Sequence, residues 1–154
     1  MKIKASTFFT TEQKARVRDA IQEAESGTSG EIRVHIETSL TGNVLDRAAW
    51  IFERIGMHAT GERNGVLFYL AVKNKQFAII GDRGINAKVP ENFWDKIKDV
   101  MQNHFRKGEF TEGLVQGILI AGSQLKEHFP YRKDDINELP DEISFDEPEL
   151  SEGK

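Results

Sequence analysis

The chain has 154 residues, 38% of them apolar and 30% charged, with a formal net charge of -4, the balance of one ordinary globular domain. Residues 131–154 hold nine acids against three bases, a net -6 that leaves +2 on the rest of the chain, so no basic footprint for nucleic acid is present. There is no cysteine, which excludes disulfides, thiolate metal sites and cysteine nucleophiles.

Met1 to Thr11 is mostly polar, with Phe8 and Phe9 as its largest apolar residues, and has no apolar core of a signal peptide. No apolar run approaches the roughly 18 residues of a membrane span. A cytoplasmic protein without a membrane span is expected, with a domain over 1–130 and an acidic, flexible tail over 131–154. Monomer is the default oligomeric state.

Thr10 and Gln13 have capping-box spacing. With Val17, Ala20, Ile21 and Ala24 at helical period, they predict a helix over 11–26. Residues 31–37 alternate strictly. Ile32, Val34 and Ile36 point one way, and Glu31, Arg33, His35 and Glu37 the other, which predicts a strand with one wet face near a sheet edge. Asn43 or Asp46 caps a second helix, whose stripe is read as Leu45, Ala48, Ala49, Phe52 and Ile55 and which Gly56 stops. Val66 to Val72 is unbroken apolar, as in a central strand. Lys73-Asn74-Lys75 is a turn, and Phe77 to Ile80 completes an antiparallel hairpin. Gly81-Asp82-Arg83-Gly84 ends that strand. Pro90 suits the first position of a helix, Glu91 complements its dipole, and Phe93, Ile97, Val100, Met101 and His104 form its stripe. The last helix spans about 111–128, with Gly113, Gly117 and Ala121 four apart for close packing on the sheet.

The order α, β, α, β, β, α, α makes the first two strands parallel and the third antiparallel to the second. That topology gathers Ser29-Gly30-Glu31, Arg63-Asn64-Gly65 and Gly81-Asp82-Arg83 at one end of the sheet. Glu31, Asn64, Asp82 and Glu91 are therefore candidate ligands for a hard cation such as calcium or magnesium. A purely structural reading stays open beside it: Asp82 pairs with Arg83 or caps a turn, and Glu91 only serves a helix dipole.

Other chemistry finds little support. His35, His58, His104 and His128 form no ligand-like pair. His35 reads as a solvated strand residue and His104 as a partly buried one. Nucleophile-elbow, phosphate-loop, dinucleotide and EF-hand patterns are missing. Trp50 and Trp94 read as core or rim aromatics.

Several of these segments resemble the TPM-domain family. They are Ser29-Gly30-Glu31 entering a strand, Arg63-Asn64-Gly65-Val66-Leu67, Gly81-Asp82-Arg83-Gly84-Ile85, and Phe105-Arg106-Lys107-Gly108-Glu109-Phe110 followed by Gly113-Leu114. The likeness runs from about residue 8 to 129. It implies a three-layer α/β/α sandwich, a mixed sheet with helices on both faces, and a divalent cation near the loop after the third strand. The family includes thylakoid-lumen proteins tied to photosystem II repair, with a proposed acid phosphatase activity, and membrane-anchored bacterial proteins. Here Glu91 stands where the family often has Asp, and Asp82 where many members have an aromatic residue. Two functions follow as expectations. One is a cation-stabilised, non-catalytic module serving a protein partner. The other is a metal-assisted phosphatase in which Arg83 steadies the ester.

Overall fold

The computed structural model describes residues 4–131 and 143–145. The elements are α1 (Ala5–Phe8), α2 (Thr11–Glu25), β1 (Glu31–Glu37), α3 (Val44–Arg54), β2 (Gly65–Ala71), β3 (Gln76–Gly81), α4 (Arg83–Asn86), α5 (Asp95–Arg106), α6 (Phe110–His128) and β4 (Ser144–Phe145). The strands form one sheet in the order β3-β2-β1-β4. As the topology predicts, β1 and β2 are parallel and β2 and β3 antiparallel.

The sheet separates two cores, giving the expected helices on both faces. Ile32, Val34, Ile36, Val66, Phe68 and Leu70 pack under α2, α5 and α6. Leu67, Tyr69, Ala71 and Ala78 pack under α3. With every residue buried, β2 is the central strand its apolar run predicts. The capping box of α2 forms in full, Thr10 N donating to Gln13 Oε1 at 2.8 Å and Gln13 N to Thr10 Oγ1 at 3.1 Å. Asn43 caps α3 by accepting from the amides of Leu45 and Asp46. The small residues of α6 work against helices more than against the sheet. A Cβ on Gly113 would lie 2.5 Å from Phe105 Cε1 of α5, and one on Gly122 would lie 2.7 Å from Ala24 Cα of α2.

Several expectations are corrected. The polar side of β1 is not wet: Glu31, His35 and Glu37 are all buried. Glu37 is 1% exposed and is held by Arg47 at 2.9 and 2.6 Å, while the Tyr69 hydroxyl donates to it as well. His35, read as solvated, stacks on Tyr69 and meets Ser144 Oγ at 2.7 Å. The stripe of α3 includes Ile51, whereas Leu45 is 51% exposed. α5 begins at Asp95 rather than Pro90. Residues 91–94 are tight turns, with Phe93 N bonded to Pro90 O and Asp95 N to Asn92 O. These turns let Phe93 sink into the core while Trp94 lies over Gly81, where a Cβ would meet its ring at 2.4 Å.

β1 does lie near a sheet edge, with only the short β4 outside it. β4 pairs parallel to it through His35↔Ser144 and Ile36↔Phe145. Nearer the start of β1, the Glu25 carboxylate accepts from Ile32 N at 2.7 Å. A side chain and a two-residue strand thus cover an edge that would otherwise invite pairing. The rest of the tail expected to be flexible lies outside the described residues. No helix among the described residues is long and apolar enough to cross a membrane.

Burial alone would raise the Glu37 pKa, but the Arg47 and Tyr69 hydrogen bonds more than offset it and hold it below the ordinary carboxylate value. A depressed folded-state pKa contributes stability above the unfolded-state value, and that stability is lost as pH falls through the folded-state one. Glu37→Gln is expected to lower stability near neutral pH by roughly 1–3 kcal/mol, the range for an orphaned buried partner. It should also flatten the decline in stability on acidification. Denaturant melts of both proteins across the acid range read this out.

Candidate functional site

Three chain segments meet at the rim where β1 and β2 begin and β3 ends. Glu31 faces Gly65 in the parallel register, and Val66 faces Gly81 in the antiparallel one. Glu31 N donates to Asn64 O at 3.3 Å, and Asp82 N to Gly65 O at 2.9 Å. The loop before β2 is fixed by Thr60, whose hydroxyl accepts from Asn64 N at 3.0 Å. Arg63 follows in the left-handed region at φ 52°, an uncommon state for a residue with a side chain.

That conformation accompanies a two-point clamp. Arg63 Nε reaches Asp82 Oδ2 at 2.7 Å, and Nη2 reaches Oδ1 at 3.0 Å, the planar fork-to-carboxylate geometry that arginine favours. The hydrogen bond to Asp82 raises the Arg63 pKa. Asp82 Oδ1 also accepts from Arg83 N at 2.8 Å and caps α4. The capping expected of Asp82 is therefore present, but its ionic partner is Arg63 and not Arg83. The Arg83 side chain is exposed and makes no ion pair with a described residue.

Gly84 closes the loop pair. Its amide donates to Arg63 O at 2.9 Å, and a Cβ there would fall 2.1 Å from Glu62 O and 2.5 Å from Arg63 O. Only glycine allows two backbones this close.

Asn64 lies at the centre, 1% exposed. Its Nδ2 donates to Ser29 O at 3.2 Å and to Ser29 Oγ at 3.3 Å. Its Oδ1 is buried and accepts no hydrogen bond from a described residue. Ser29 Oγ donates in turn to Glu62 Oε2 at 3.2 Å. The rim therefore brings together Glu31, Asn64 and Asp82, all 6% exposed or less. Glu91 stands apart in the turn ahead of α5, exposed and without a hydrogen bond or ion pair to a described residue. Because α5 starts four residues later, Asp95 takes the first-turn position expected of Glu91. Among the described residues, no three His, Cys, Asp or Glu side chains gather as a metal group.

Sequence places Ser29 and Arg63 at this rim but not the Arg63–Asp82 clamp, the Ser29–Asn64 and Ser29–Glu62 hydrogen bonds or the close approach at Gly84. A signal was present in the run Glu62-Arg63-Asn64-Gly65, where a cation precedes the strand that must lie beside Asp82.

A family model described as the TPM domain matches residues 3–124. The solution structure of the BA42 protein from the psychrophilic bacterium Bizionia argentinensis is 48% identical. That match covers 90% of this chain and 95% of the other, at a TM-score of 0.85. The N-terminal domain of a protein from P. gingivalis is 22% identical over 79% of this chain and 78% of the other, at 0.65. One from Corynebacterium glutamicum is 12% identical over 88% and 79%, at 0.61. These last two show the fold alone. No curated protein matches.

Gly84→Ala is expected to force the two rim loops apart and to destabilise by about 1–3 kcal/mol, the range for overpacking. Its amide spectrum should differ from the parent's at Arg63, Asn64 and Asp82, with α5 and α6 little changed.

Proposed function

The chain belongs to the TPM-domain family, and on that premise we propose that it is a divalent-cation-binding, non-catalytic interaction module for a protein partner. The observation that carries this reading is Asn64 Oδ1. A buried acceptor left without a donor costs about 1–3 kcal/mol, and a rim that keeps one suits a ligand that supplies the missing charge. The candidate ligands at this rim are oxygens, the amide of Asn64 and the carboxylates of Glu31 and Asp82, as a hard cation requires.

Asn64, Glu31 and Asp82 would hold calcium or another divalent ion, with Arg63 competing for Asp82. Glu91 would join only through movement of its turn. With so few carboxylates, binding should be weak, on the order of 10⁻⁴–10⁻³ M. When bound, the ion would neutralise the buried rim and stiffen the three loops around it. A non-catalytic role is favoured because the Ser29 hydroxyl donates to a carboxylate rather than to an imidazole base. The acidic residues from Asp134 to Glu152 would provide the arm that meets the partner.

Thermal melts in a calcium series test the reading. The melting temperature should climb with calcium, by the equivalent of about 2.7 kcal/mol at a hundred times the dissociation constant, and Asn64→Ala should abolish the climb. A melt indifferent to calcium, magnesium and manganese would overturn it. Turnover of a generic phosphate ester with any of these ions, lost in Asp82→Ala, would replace the module by a phosphatase.

A further inference from the structure

The segment Phe105-Arg106-Lys107-Gly108-Glu109-Phe110 has no part in the rim, yet it builds the wall of a second concavity at the opposite end of the sheet. Gly108 sits at φ 78° just past the end of α5. Its amide bonds Phe105 O at 3.0 Å, and Glu109 N bonds His104 O at 2.9 Å, a left-handed glycine stop. This reversal stacks Phe110 on Phe105, with centroids 5.4 Å apart and planes at 29°. Phe77 of β3 meets the same Phe105 edge-on at 5.1 Å. Gly113 gives Phe105 its place, since a Cβ there would come within 2.5 Å of the ring.

The result is a cleft of about 500 Å³, within the range of roughly 300–1,000 Å³ typical of small-molecule sites. Leu70, Phe77, Phe105 and Phe110 form its apolar wall, and Lys75 and Arg106 stand on its lip. Neither cation has an ion-pair partner among the described residues. No acidic side chain among the described residues lines the cleft. Three half-buried phenylalanines beneath two unopposed cations call for a ligand with an apolar body and one anionic head.

We propose that this cleft binds a small amphipathic monocarboxylate, its apolar tail against the three phenylalanines and its carboxylate on Lys75 and Arg106. An arginine fork and a lysine ammonium both donate to a carboxylate. Burial of the tail supplies the remaining drive. This site shares no residue with the cation rim, so the two stand or fall separately.

The test is a titration of the isotope-labelled full chain with octanoate, read as amide shifts. Saturable shifts are expected at Lys75, Phe77, Arg106 and Gly108, with the rim unmoved. Octanol has the same tail without the charge, and it should bind roughly tenfold more weakly or worse. The double variant Lys75→Gln/Arg106→Gln, altered only at exposed positions, should lose octanoate affinity to the same degree while keeping its affinity for octanol. Equal affinity for octanol and octanoate, undiminished binding by the double variant, or shifts away from the cleft would each overturn the proposal, as would the absence of binding.

Discussion

Two strand registers fix the candidate site before any side chain is considered. Setting Glu31 opposite Gly65, and Val66 opposite Gly81, forces the loops before β1 and β2 and the turn after β3 onto one rim. Gly84 then lets the backbones of α4 and the preceding loop touch, and Arg63 bridges them by holding Asp82 with two hydrogen bonds. Within that closure the Asn64 Nδ2 is spent on Ser29, and its buried amide oxygen accepts no hydrogen bond from a described residue.

Electrostatics organise the α3 face as firmly as apolar contact organises the other. Tyr69 and Arg47 converge on Glu37, so a buried carboxylate at the end of β1 has its pKa held below the ordinary carboxylate value. Arg47 in turn lies 4.6 Å from the Trp50 ring, with Arg54 on the same ring at 5.2 Å. This chain of polar contacts ties α3 to the sheet where its apolar stripe is narrow.

Strand direction was legible in the sequence because it follows from element order alone, and so was the meeting of Asn64 with Asp82 at one rim. The helix caps at Thr10 and Asn43 were equally readable, being local. What could not be read was which polar residues find partners across the fold. Strict alternation in β1 looks the same whether Glu37 faces water or Arg47. The start of α5 was misplaced because Pro90 and Glu91 obey helix-start rules locally, whereas the need to place Phe93 inside and Trp94 over Gly81 is tertiary. α4 was hidden for a related reason: a four-residue helix has no period to detect, so the cap at Asp82 could be read but not the helix that it starts. The pairing of Ser144 with His35 joins residues 109 apart, a separation over which no local pattern acts.

The side-chain amide of Asn64 reports on the central claim more directly than any global property. In a calcium titration its nitrogen and both its protons should shift and saturate together with the backbone amides of Glu31 and Asp82, while those of Phe105 and Phe110 stay still. A side-chain amide of Asn64 that keeps its position while other resonances respond to calcium would contradict the account.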